Sequence, residues 1–110
     1  MLLKGKTAII TGASKGIGKA CAQIFAKNGS NLYLLSRNLE KLEKLKQELS
    51  IYDVKITCLS VDVSDNGSIN DGFKMIRKDK VVIDVLVNNA GIMEDAVLQM
   101  AAKDLVGKIY

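Results

Sequence analysis

Residues 7–27 read TAIITGASKGIGKACAQIFAK. The apolar run Thr7–Thr11 has the length of a buried strand. It ends in a glycine-rich loop, 12–16, and passes directly into a segment where Ile17, Ala20, Cys21, Ile24 and Phe25 recur at helical spacing. Asn28 and Gly29 then supply a helix stop. In a strand–loop–helix unit the glycines have separate tasks. Gly12 permits a turn out of the strand where a Cβ would obstruct, Gly16 lets the backbone approach a pyrophosphate, and Gly18 lets helix and strand pack closely. The helix N-terminus presents free N–H groups and the positive end of its dipole to an anion, and Ser14 and Lys15 add a hydroxyl and a charge. An ATP-type P-loop is excluded. Its nearest fit, Ala13 through Gly18-Lys19-Ala20, lacks the first glycine and the hydroxyl that would hold magnesium.

Outward from this unit the same alternation repeats. NLYLLS, 31–36, reads as a second strand. RNLEKLEKLKQELS, 37–50, reads as a helix striped by Leu39, Leu42, Leu45 and Leu49, with Glu40/Lys44 and Lys44/Glu48 as i,i+4 pairs; it holds too few heptads for a coiled coil. VKITCLSV, 54–61, is a third strand that runs into DVSD. Asp65 is placed to cap a helix whose buried face is Ile69, Phe73 and Ile76, weakened by Gly67 and Gly72. VVIDVLV, 81–87, is a fourth strand closed by NNAG. Residues 94–110 carry a further helical stripe of Leu98, Ala102, Leu105 and Ile109, with Gly107 as a possible cap. Near-continuous apolar strands alternating with helices predict an α/β fold, a doubly wound parallel sheet of four strands covered on both faces. No repeat or linker divides the chain, so 1–110 reads as one dinucleotide-binding Rossmann domain.

Composition narrows the function classes. With 48% apolar and 25% charged residues the chain builds a core. The net charge of +4 is spread over lysines that alternate with acids, the pattern of solvated helix faces, so neither a nucleic-acid nor a membrane partner is expected. The N-terminus has no long apolar stretch of the signal-peptide kind, and no run is long enough to span a bilayer. Cys21 and Cys58 lie apart and fit no disulfide framework or metal site; they read as small buried hydrophobes in a reducing cytoplasm. There is no histidine, which removes every His-based triad and the commonest general base.

The spacing T-G-x-x-x-G-x-G at 11–18, DVSD at 62–65 and NNAG at 88–91, each after its own strand, resemble the short-chain dehydrogenase/reductase family over essentially the whole chain. Within it, NNAGIMEDAVLQM at 88–100 looks most like the 3-oxoacyl-(acyl-carrier-protein) reductases, through Asp95 and Leu98. The resemblance implies hydride transfer between a nicotinamide and a carbonyl or alcohol carbon of a small-molecule substrate. It places Gly12, Ser14, Lys15, Gly16, Ile17 and Gly18 along the cofactor, Asp62 and Val63 against the adenine, and Asn89, Ala90 and Gly91 near the adenosine ribose and the nicotinamide side. The residues themselves speak to cofactor choice. An NAD binder carries an acid about 20 residues past the glycines to hold the ribose 2′-OH. Here the end of strand two reads Ser36-Arg37-Asn38, with an arginine where a 2′-phosphate needs one and Lys15 as a second cation. NADPH is therefore expected over NADH.

The family's chemistry uses a tyrosine, a lysine four residues later, a serine and a relay asparagine. Tyr52 is followed four residues later by Ile56, and Tyr110 is the last residue. Tyr33 and Arg37 have the right separation, but in a strand four residues span about 13 Å. No catalytic residue is expected within 1–110. The chain reads as the cofactor half of such an enzyme, cut before the catalytic and substrate half, with little turnover by itself. Its fourth strand would be an apolar edge inclined to self-association. The alternative is a non-catalytic dinucleotide-binding or interaction module.

Overall fold

The computed structural model describes residues 2–89. The elements run β1 (Thr7–Thr11), α1 (Gly16–Lys27), β2 (Asn31–Ser36), α2 (Leu39–Glu48), a single 3-10 turn (Leu49–Ile51), β3 (Ile56–Ser60), α3 (Asn66–Lys78) and β4 (Val85–Val87). Among these residues the strands form one parallel sheet in the order β3-β2-β1-β4. Thr7–Thr11 pairs in register with Asn31–Leu35, and Ala8–Ile10 pairs with Val85–Val87. The chain steps outward from β1 to β3, then returns past β1 to β4. The strand order thus reverses at β1, where doubly wound sheets open a crevice at their carboxyl ends.

Side-chain alternation along the strands sorts the core into two layers. Ile9, Tyr33, Leu35, Leu59 and Leu86 face α3, where Ile69, Phe73 and Ile76 meet them. Ala8, Ile10, Leu32, Leu34 and Ile56 face the other way, toward α1 and α2. On α2 the stripe holds for Leu42, Leu45 and Leu49, whereas Leu39 is 42% exposed at the first turn. The cap at Asp65 forms as the sequence predicts: its carboxylate accepts from the Gly67 and Ser68 N–H groups at 2.9 and 3.3 Å. Gly72, a weak point by propensity, is where α3 touches the sheet end; a Cβ there would lie 2.8 Å from Val61 Cγ2.

Three sequence expectations are corrected. On α1 the buried face is Gly18, Ala22 and Ala26, with Cys21 and Phe25 half-buried. Ile17 and Ile24 point outward, 74% and 59% exposed. The small i, i+4, i+8 stripe wins because it lets the helix axis approach β1, which the larger isoleucines would prevent. The fourth strand is three residues long, not seven: Val81 and Val82 lie in the preceding loop, and Val82 is 77% exposed. The loop is held by Asp84, whose N–H donates to Thr7 O and whose carboxylate accepts from Thr7 N, both at 2.9 Å. Finally, Cys21 and Cys58 are free thiols but only half-buried. The helical stripe expected at 94–110 lies outside the described residues. Among the described residues no helix is long and apolar enough to cross a membrane.

Tyr33 lies on the α3 face at 4% exposure, and its hydroxyl donates to Asp79 Oδ2 at 2.6 Å. Burial first, then the hydrogen bond to Asp79 and the charge of Asp79, raise the phenol well above its usual range. A raised folded-state pKa means stability that is complete below the unfolded value, about 10, and is lost as pH rises from there toward the folded value. By pH 11 the total loss should reach about 1.4 kcal/mol. The Cys58 thiol, pushed up to about 11 by burial and Glu43 against a smaller opposing pull from Lys46, acts in the same direction. Urea midpoints of the parent chain and Tyr33→Phe, both retaining Cys58, should therefore converge as pH rises from 9 to 11. A constant gap between them would contradict the burial of an un-ionised phenol.

Candidate cofactor site

Beyond the carboxyl ends of β1, β2 and β3 lies a cleft of about 790 Å³. Gly12, Ser14 and Lys15 form one wall, Ser36, Arg37, Asn38, Leu39 and Lys41 a second, and Val61, Asp62, Val63 and Ser64 the third. Each wall gathers residues at or just beyond the end of one strand, the second reaching into the first turn of α2, so parallel pairing alone brings together residues about fifty positions apart.

Gly12 and Gly16 adopt φ of 61° and 59°, left-handed backbone that favours glycine. Lys15 occupies the N-cap of α1 in extended conformation, and no side chain caps the helix there. The first N–H groups of α1 are thus left without a side-chain acceptor of their own. Gly18 fits against the loop: a Cβ would lie 2.8 Å from Gly12 C and 2.7 Å from Asn89 Nδ2, and would overlap Gly12 O. Asn89 Nδ2 donates to that same carbonyl at 3.2 Å. Next to it, Thr11 Oγ1 donates to Val87 O at 3.4 Å and Asn88 Oδ1 at 3.2 Å, tying the end of β1 to the end of β4.

A run of hydroxyl and amide contacts ties the first wall to the second. Ser36 Oγ donates to Ser14 Oγ at 3.0 Å and accepts from Asn38 N at 3.2 Å. Asn38 Oδ1 in turn accepts from Lys41 N at 3.1 Å, capping α2. From the third wall, Ser60 Oγ donates to Arg37 O at 3.2 Å, and Val61 N donates to Ser36 O at 2.9 Å. The backbone around Arg37 is therefore held from both sides while its guanidinium stays exposed. Asp62 is held ionised: the Ser64 hydroxyl and then the Ser64 N–H donate to it, at 2.6 and 2.9 Å, and the charge of Arg37 lowers its pKa further.

Of the residues predicted from sequence, Gly12, Ser14, Lys15, Ser36, Arg37, Asp62 and Val63 line this cleft together. Gly16 and Gly18 shape the turn behind it. Ile17, exposed at the start of α1, does not line it, and Asn89 contacts the loop from the β4 side. Ala90 and Gly91 lie outside the described residues, as do Asp95 and Leu98. Asn38, Leu39, Lys41, Val61 and Ser64 were not anticipated. Asn38 had a legible signal, a cap residue at the head of a leucine-striped helix; Lys41 had none, since it reads as one more solvated lysine. Among the described residues no cluster of histidine, cysteine or carboxylates is arranged to hold a metal ion.

The family profile described as short chain dehydrogenase matches residues 6–109. Oxidoreductase UcpA of Salmonella typhimurium is 43% identical over 90 residues, covering 82% of this chain and 34% of that protein. A metagenomic short-chain oxidoreductase solved in complex with NADP superposes with a TM-score of 0.77 at 33% identity, over 84% of this chain and 41% of that one. An NAD+-bound xylitol dehydrogenase gives the same TM-score at 32% identity, over 83% of this chain and 35% of that one. The chain thus spans about a third of the length of the UcpA proteins it matches. These relatives lend no support to the narrower likeness to 3-oxoacyl-(acyl-carrier-protein) reductases.

Proposed function

The chain belongs to the short-chain dehydrogenase/reductase family, and from that premise we propose that it forms the cofactor-holding portion of an oxidoreductase that uses NADPH in preference to NADH. The observation that carries this reading is the wall at the end of β2. Arg37 is exposed to the cleft, and Lys15 faces it from the glycine loop. No acid stands at 36–38 to accept a ribose 2′-OH. Solved relatives hold either dinucleotide, so the preference is read from this chain's own residues.

Gly12, Gly16 and the uncapped start of α1 would receive the pyrophosphate, and Ser14 and Lys15 would add a hydroxyl and a charge. Asp62 and Val63 would border the adenine. Bound there, NADPH would supply a hydride to a carbonyl carbon, or NADP take one from an alcohol. This chain's contribution is to bind and orient the dinucleotide. The small-molecule substrate and the acid–base groups are those of a whole reductase of this kind. Its free half-buried thiols suit a reducing cytoplasm.

Titration of nicotinamide fluorescence tests the reading. A charge-assisted contact contributes about 1.5–3 kcal/mol, so NADPH should bind tenfold to a hundredfold more tightly than NADH. Arg37→Glu should abolish that margin while leaving NADH binding within about twofold. Selectivity unchanged in this variant would refute the assignment.

A further inference from the structure

We propose that Lys41 is a specificity-determining residue of this cleft, a second positive charge for the 2′-phosphate beside Arg37; the inference rests on the NADPH reading above. A ribose 2′-phosphate carries close to two negative charges at neutral pH, as phosphate monoesters do. Arg37 balances one. Lys41 lines the same cleft from the next turn of chain and makes no ion pair with any described residue.

Its position is fixed rather than incidental. The Lys41 N–H is bound by Asn38 Oδ1, the Asn38 N–H by Ser36 Oγ, and Ser36 Oγ reaches Ser14 across the cleft. The root of the lysine is thus set relative to the glycine loop by three consecutive hydrogen bonds. It is also in the wrong place for a lysine that serves only the helix. With Asn38 as N-cap, Lys41 is the third helical residue, where a glutamate or glutamine completes a capping box and the helix dipole disfavours a cation. An anion in the cleft removes that conflict. The charge of the walls agrees: Lys15, Arg37 and Lys41 stand against one carboxylate, Asp62, which is already engaged by Ser64.

The test compares the parent chain with Lys41→Gln and Lys41→Arg by titration with NADPH and NADH, and by competition with 2′-AMP and 5′-AMP. Lys41→Gln should weaken NADPH and 2′-AMP about fivefold, the range of an exposed ion pair, and leave NADH and 5′-AMP unchanged. Lys41→Arg should restore most of the loss. The thermal midpoint of the unliganded Lys41→Gln variant should hold or rise. If the parent shows no preference for NADPH, the cofactor reading fails and this inference with it. If the parent prefers NADPH and Lys41→Gln keeps the full preference, Lys41 alone is wrongly placed. Equal weakening of both dinucleotides would mark a purely structural residue and overturn the proposal.

Discussion

Replacing Gly18 by alanine is expected to lower the thermal midpoint by roughly 15 °C and abolish dinucleotide binding, the former from about 3 kcal/mol of overpacking. The added Cβ overlaps Gly12 O and comes within 2.8 Å of Gly12 C and 2.7 Å of Asn89 Nδ2. Two of these three atoms are backbone and cannot rotate away. Relief requires α1 to withdraw from β1, which would also loosen the packing of Ala22 and Ala26, both buried on the same side of α1. The glycine loop would move with the helix, because Gly12 itself is the obstacle. For stability, Gly16→Ala is the control. Open space surrounds its would-be Cβ, so the cost is confined to the left-handed φ of 59°, about 1–2 kcal/mol. Differential scanning calorimetry of the unliganded proteins separates the two, and NADPH titration compares Gly18→Ala with the parent chain. Equal behaviour of Gly18→Ala and the parent would refute the close packing of α1 on the loop.

Truncation of Phe73 to alanine should remove about 4 kcal/mol of stability, a large part of what a domain of this size possesses. The ring is 1% exposed and belongs to the layer formed by Ile9, Leu35, Ile69 and Leu86. No other described aromatic except Tyr33 lies in that layer, so the vacancy has only aliphatic neighbours and one tethered phenol to fill it. Met75, two residues along the same helix, is 53% exposed. Met75→Ala should change stability by less than about 0.5 kcal/mol. Urea unfolding of the pair measures the difference directly. Similar small effects for both would mean that α3 presents another face to the sheet.

What could be read in the sequence follows from where local and global demands coincide. The strands at 7–11 and 31–36 are legible because a parallel strand is apolar on both faces and its flanking glycines and polar residues mark the ends. Asp65 is legible because a cap is a local device. The loop glycines are legible because left-handed backbone at Gly12 and Gly16 and close approach at Gly18 each favour that residue type. The α1 face is misread because periodicity favours the larger apolar residues, whereas the fold needs small ones at the contact; Ile17 and Ile24 are therefore exposed. VVIDVLV is apolar at six of its seven positions, yet only its last three residues form the strand. Asp84 interrupts it by binding Thr7, an interaction 77 residues apart in sequence that no window covers. Lys41 is invisible for a similar reason: its meaning depends on Arg37 and Lys15 being brought to one cleft by separate strands.

Two sets of polar contacts lie at opposite ends of the sheet. At the amino end, Asp84 with Thr7, Asp79 with Tyr33, and Asn31 with Lys55 at 2.9 Å bind protein to protein. At the carboxyl end, the contacts of Ser14, Ser36 and Asn38 hold loops in position around a space. These two sets of contacts thus draw on separate residues. Such a scaffold lets ligand preference drift through a handful of loop positions while the framework beneath keeps its fold, and lets the framework gain or lose stability without redrawing the cleft.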